Sequence, residues 1–233
     1  MTRPTHTEII IALDVDSLSQ SLQAVEACGE CRWFKTGLQL FSRTGPAIVE
    51  HLKSRGKRVF LDLKLHDIPN TVARAARAAA DLGADLITVH ACGGRTMISA
   101  ARNAVEGSGT RVLAVTVLTS IDDHTLRNEV GLHETAEQAV GRYARMAVES
   151  GAHGVVASPF EIRTVRSIVG GGPIIVTPGI RPSWAASDDQ ARFLTPREAA
   201  EAGADFIVVG RPVLKHERPF EAFDQIRKEI TLT

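Results

Sequence analysis

The chain has 233 residues, 44 % of them hydrophobic and 23 % charged, which suits one domain (1–233) around a large core. Its 27 Lys and Arg balance 27 Asp and Glu, so no dedicated nucleic-acid or membrane-binding surface is expected, and an anionic ligand must be held by a local cluster. Residues 1–8 are polar, no apolar run is long enough to span a bilayer, and Cys28, Cys31 and Cys92 give no even framework for a secreted scaffold. A reducing cytoplasm is therefore the expected location.

Short β-branched runs recur along the chain. They predict strands at 8–15, 32–36, 58–63, 85–90, 111–118, 154–157, 173–177 and 205–209. Ala-rich segments of helical spacing lie between most of them. Val72, Ala75, Ala76, Ala79 and Leu82 share one helix face, which reads as core packing. Three segments repeat one pattern: Asp81-Leu-Gly-Ala-Asp-Leu-Ile, Glu149-Ser-Gly-Ala-His-Gly-Val and Glu201-Ala-Gly-Ala-Asp-Phe-Ile. Each places Gly just past a helix, where a left-handed residue is needed, and enters a strand soon after. Eight βα units and no dinucleotide fingerprint after the first strand favour a (β/α)8 barrel over a doubly wound sheet. Residues 183–194, after the seventh strand, are long and polar and read as a mobile loop, a candidate lid.

In such barrels, chemistry sits at the C-terminal strand ends. Those ends carry Asp14, Lys35, Asp62-Leu-Lys64-Leu-His-Asp67, His90, Thr119-Ser120, Pro178-Gly-Ile-Arg181 and Gly210-Arg211. Side-chain alternation puts Asp62 and Lys64 on one strand face, roughly 6.6 Å apart at about 3.3 Å per residue. Leu61, Leu63 and Leu65 take the other face, toward the helices. Trp33 and Lys35 share a face on the strand before, so Lys35 can meet the Asp62–Lys64 pair in the barrel mouth. Buried charges survive when paired, and two lysines with Asp62 and Asp67 make a neutral set. Asp14 is not needed as a helix cap, because Ser17-x-x-Gln20 supplies a capping box. Two arginines and a glycine after the last two strands fit the usual phosphate position of barrels.

Phe60-Leu-Asp-Leu-Lys-Leu-His-Asp-Ile-Pro-Asn-Thr71 resembles the signature of the orotidine 5′-phosphate decarboxylases. Ala12-Leu-Asp14, Phe34-Lys35-Thr-Gly, Leu118-Thr-Ser120, Thr177-Pro-Gly-Ile-Arg181-Pro and Val209-Gly-Arg211 match in the same order, so the resemblance spans essentially the whole chain. It implies cofactor-free decarboxylation of orotidine 5′-monophosphate (OMP) to UMP in pyrimidine biosynthesis. It implies Lys64 as proton donor, with Asp62, Asp67 and Lys35 completing the catalytic set. Asp14 and Lys35 would contact the ribose, and Thr119 and Ser120 the pyrimidine. Arg181, Gln190, Gly210 and Arg211 would hold the phosphate, with Pro178 also in the substrate site. It further implies a homodimer in which Asp67 and Thr71 serve the neighbouring subunit's site. His90 reads as a structural hydrogen-bonding residue rather than a substrate contact.

Other signals carry less. Cys28-Gly-Glu-Cys31 lacks both a thioredoxin-like context and two further zinc ligands. Gly170-Gly-Gly172 is a loop into the seventh strand. A metal-dependent sugar-phosphate decarboxylase or aldolase of the same barrel superfamily would share Asp-x-Lys-x-x-Asp. Those enzymes typically have a Glu where this chain has Lys35, and the Lys35 cation would repel Mg²⁺. A non-catalytic phosphate-binding barrel would not need the full lysine–aspartate set.

Overall fold

A computed structural model describes residues 7–185 and 193–231. Eight parallel strands close a barrel in sequence order: β1 (Glu8–Ala12), β2 (Trp33–Gly37), β3 (Arg58–Leu65), β4 (Leu86–His90), β5 (Arg111–Val115), β6 (Gly154–Val156), β7 (Ile174–Thr177) and β8 (Phe206–Val209). After β1 comes α1 (Leu18–Ala27), and after β2 come α2 (Leu38–Thr44) and α3 (Ala47–Ser54). Next are α4 (Pro69–Asp81), α5 (Gly94–Ala104), α6 (Asp123–Asn128), α7 (Ala136–Glu149) and α8 (Ile162–Val169). The chain ends with α9 (Pro196–Ala202), α10 (Arg211–Leu214) and α11 (Pro219–Thr231). This is the (β/α)8 barrel the sequence pattern calls for.

The strands divide their side chains between two cores. Ile10, Ala12, Trp33, Phe60, Leu86, Leu113, Val176 and Val208 pack together inside the barrel. Ile11, Phe34, Leu61, Ile87 and Val209, one residue out of phase, pack against the helices. A parallel strand covered on both faces must be apolar on both, which is why these runs are continuous rather than alternating. Full burial of each large side chain such as Phe34 or Leu61 contributes about 1.5–3 kcal/mol. Val72, Ala76 and Ala79 of α4 are buried in the outer core, so that stripe is packing.

The repeated Gly-Ala-Asp or Gly-Ala-His loop has a second purpose beyond its left-handed glycine. Gly83, Gly151 and Gly203 have φ of 83°, 89° and 103°. The residue two positions on accepts a backbone N–H from the neighbouring strand. Asp85 accepts from Val59 at 2.8 Å, His153 Nδ1 from Val112 at 2.9 Å, and Asp205 from Ile175 at 2.7 Å. Each αβ loop therefore pins the base of an adjacent strand.

Some boundaries differ from the sequence reading. β1 stops at Ala12 and β5 at Val115, where the runs predicted strand to 15 and 118. Val117 and Leu118 go on to line a cavity, which requires apolar side chains but no neighbouring strand. β3 runs two residues further than expected, through an irregularity that shapes the site. Ser17 caps α1 by accepting from Gln20 N–H, but the Gln20 side chain turns back to Asp16 N–H, so only half of the capping box forms. Asp14 is free of capping, as expected. Cys28 and Cys31 are fully buried, and burial pushes their thiols up to about 11 and about 12. Such thiols stay protonated and are poor nucleophiles or metal ligands.

Candidate active site

A cavity of about 370 Å³ opens at the C-terminal ends of the strands. Phe60, Val115, Val156 and Val208 form its apolar wall. Asp14, Lys35, Asp62, Lys64, Thr119, Pro178, Arg181, Gly210 and Arg211 bring polar groups to the same space. These nine come from six separate strand ends, so closing the barrel is what assembles them.

The charged set is linked. Lys64 Nζ lies 2.7 Å from Asp62 Oδ2, and Lys35 Nζ lies 3.8 Å from the same oxygen. Lys35 also donates to Asp14 Oδ1 at 3.2 Å. Asp62 and Lys35 are only 12 % and 13 % exposed, which leaves their fields weakly screened, whereas Asp14 is 56 % exposed. Asp14, not Asp67, thus supplies the second negative charge that balances Lys35 and Lys64 within this chain. Asp67 is exposed, accepts from Ile68 N–H at 2.6 Å, and lies outside the cavity at the start of α4, as does exposed Thr71.

Two further residues shape this network, and both escaped the sequence reading. Gly37 makes room for it: a Cβ there would lie 2.8 Å from Lys35 Nζ and 3.8 Å from Asp14 Oδ1. Thr88, fully buried on β4, donates from Oγ1 to Asp62 Oδ1 at 2.9 Å. Its signal was its phase: Leu86, Thr88 and His90 share the inward face of β4, and Thr88 is polar there.

The remaining candidates divide. Ser120 is exposed and borders a neighbouring groove, which it shares with Thr119, instead of the cavity. Gln190 and most of the 183–194 loop lie outside the described residues. The loop's described ends are a short turn at Ser183–Ala185 and a bridge between Ile180 and Leu194. His90 is half-buried with its ring 5.6 Å from that of His66. Burial first, then the neighbouring His66 and Lys64, holds its pKa below the usual histidine range, so it is uncharged at neutral pH.

The fold and site together define a (β/α)8-barrel lyase, with a lysine–aspartate network and an arginine pair facing one cavity. The profile of the orotidine 5′-phosphate decarboxylase / HUMPS family matches residues 7–226, and the chain belongs to that family. It is 49 % identical over 230 residues to an orotidine 5′-phosphate decarboxylase of Heliobacterium modesticaldum, covering 95 % of each chain. It is 53 % identical over 206 residues to one of Anaeromyxobacter sp., covering 88 % of this chain and 90 % of the other. The crystal structure of orotidine 5′-phosphate decarboxylase from Lactobacillus acidophilus superposes with a TM-score of 0.87 at 39 % identity, covering 97 % and 99 % of the two chains.

Proposed function

We propose that this chain decarboxylates OMP to UMP and CO2 in pyrimidine biosynthesis, with no metal or organic cofactor. The observation that carries the reading is the Lys35–Asp62–Lys64 network in a cavity that Arg181 and Arg211 also line. In this reaction the bond from C6 to the carboxylate breaks, CO2 leaves, and the electron pair stays on C6. Lys64 stabilises that developing charge as an ammonium, then gives its proton to C6; water restores the proton to the amine. Asp62 stands beside the position of the substrate carboxylate, where like charge disfavours the bound ground state. Lys35 holds Asp62 and Asp14 in place and, with Asp14, meets the ribose hydroxyls. Thr119 reads the pyrimidine from the cavity, Ser120 joins it from the adjoining groove that the two share, and Pro178 lies against the substrate. Arg181, Gly210, Arg211 and Gln190 take the phosphate, the arginines through charge-assisted hydrogen bonds.

Metal independence follows from the charge at the end of β2. Lys35 places a cation where a Mg²⁺ site would need a carboxylate. Asp67 and Thr71 act in the neighbouring subunit's site of a homodimer; their exposure outside this chain's own cavity supports that assignment. The chain works as one catalytic domain in the cytoplasm. No helix among the described residues is long and apolar enough to cross a membrane.

The test is the loss of OMP absorbance on adding the purified protein in EDTA. Full turnover supports the reading. A large loss restored by Mg²⁺ would favour a metal-dependent sugar-phosphate lyase, and no turnover under any condition would sink the proposal.

A further inference from the structure

The ladder between β3 and β4 slips. Phe60 pairs with Leu86 and Leu61 with Ile87, but the next pair is Leu65 with Val89. Four residues of β3 thus span the distance that two residues of β4 cover. The surplus falls on Asp62, Leu63 and Lys64. Lys64 has φ of 50°, and among the described residues no other non-glycine residue has positive φ. That conformation is strained for a side chain with a Cβ and persists only where the surroundings hold it.

Within the slip a side chain of β4 meets the Lys64 backbone: Thr88 Oγ1 takes the Lys64 N–H at 2.9 Å. A backbone N–H can only donate, so the hydroxyl accepts there and spends its own proton on Asp62 Oδ1, also at 2.9 Å. Asp62 Oδ2 in turn receives Lys64 Nζ at 2.7 Å. The chain of contacts closes on itself: Lys64 backbone to Thr88, Thr88 to Asp62, Asp62 to the Lys64 side chain. Thr88 is fully buried and does not line the cavity, so it touches Lys64 and Asp62 and not the space for a substrate.

We propose that Thr88 is the positioning residue for Lys64 and Asp62, holding Lys64 in its strained backbone conformation and fixing the hydrogen-bond direction at Asp62. The inference rests on the reading of Lys64 as proton donor to OMP. Positioning within a fraction of an ångström governs a proton transfer far more than it governs binding of a ligand held elsewhere. Thr88 should therefore act on kcat and leave the affinity for the product nearly unchanged.

The experiment compares Thr88→Val, which keeps the shape and removes the hydroxyl, with Thr88→Ser, which keeps the hydroxyl. Thr88→Ala gives Thr88→Ser a second partner differing only in the hydroxyl, should the valine variant fold poorly. Steady-state turnover of OMP is measured beside UMP affinity by calorimetry, which also counts competent sites. For Thr88→Val, or Thr88→Ala in its place, kcat per competent site should fall about tenfold to a hundredfold, the range of one lost hydrogen bond to a charged group. UMP affinity should stay within about threefold, and Thr88→Ser should recover most of the rate. Equal kcat per site with and without the hydroxyl would overturn the inference, as would a fall in rate explained by fewer competent sites. Absence of wild-type turnover would overturn the decarboxylase reading itself, and this inference with it.

Discussion

Gly37→Ala tests the lysine network with one methyl group. The backbone at Gly37 has φ −94° and ψ −176°, which alanine adopts without strain. The added Cβ would lie 2.8 Å from Lys35 Nζ, far inside contact distance, so the flexible end of the lysine must move. Moving it breaks the 3.2 Å bond to Asp14 and disturbs the 3.8 Å pairing with Asp62. A hydrogen bond to a charged group contributes about 1.5–3 kcal/mol. Asp14 is 56 % exposed, and exposed pairs contribute about 1 kcal/mol or less, so the lower part of that range applies. A loss of about 1.5–2 kcal/mol is about ten- to thirtyfold in kcat/KM. Stability should move by less than about 1 kcal/mol. Alanine reduces the entropy of the unfolded chain but caps α2 less well than glycine, and the two effects oppose. The assay is OMP turnover in Gly37→Ala, Lys35→Ala and the double variant. If Gly37→Ala acts through Lys35, it adds nothing once Lys35 is gone. A further tenfold loss in the double variant would refute the reasoning, as would an unchanged rate in the single one.

Three further outcomes follow from named contacts. Arg211→Ala should lower kcat/KM for OMP by about 2–4 kcal/mol, yet barely change turnover of orotidine, which lacks the phosphate; equal losses on both would remove Arg211 from the phosphate site. Mixing inactive Lys64→Ala and Asp67→Ala subunits should restore activity, because one site of each mixed dimer is complete; no recovery despite proven subunit exchange would return Asp67 to its own subunit. Burial holds the His153 pKa below its unfolded value of about 6.5, so its stabilising acceptor bond to Val112 is complete above that pH and is lost as pH falls toward the folded value; His153→Asp should lose less stability than wild type between about pH 7.5 and about pH 5.5 in denaturant titrations, and equal losses would show that His153 does not set this dependence.

The barrel was legible because its two cores impose opposite phases on every strand. Alternation alone sent Phe34 and Leu61 to the helices and Trp33, Lys35 and Asp62 to the interior, as the structure has them. The three Gly-Ala loops marked helix ends correctly, but their Asp and His side chains looked merely polar. Their hydrogen bonds to Val59, Val112 and Ile175 join segments distant in sequence and leave no local pattern. Lys64 and Asp62 were placed together for a partly incomplete reason. Their backbone spacing on a regular strand, roughly 6.6 Å along its axis, is one a lysine side chain can bridge, and its ammonium lies 2.7 Å from Asp62; what the pattern did not show is the slip against β4 and the positive φ of Lys64. A register slip depends on the neighbouring strand, so the β3 sequence alone cannot show it. Asp67 was placed in the neutral set because it follows the motif, but the turn into α4 carries it out of the cavity and Asp14 takes its place. Gly37 and Thr88 were readable only by phase, as a missing side chain and a lone hydroxyl on the inward faces of β2 and β4.

The central claim is that Lys64 gives its proton to C6 with no metal in the site. Turnover of OMP by wild type and by Lys64→Ala, both in EDTA and both normalised to sites that bind UMP, tests it directly. The account predicts undiminished wild-type turnover and a loss in Lys64→Ala on the order of a thousandfold or more, since proton delivery and charge stabilisation vanish together. A Lys64→Ala enzyme that kept about a tenth of the wild-type rate, or a wild type that stopped in EDTA and restarted with Mg²⁺, would contradict it.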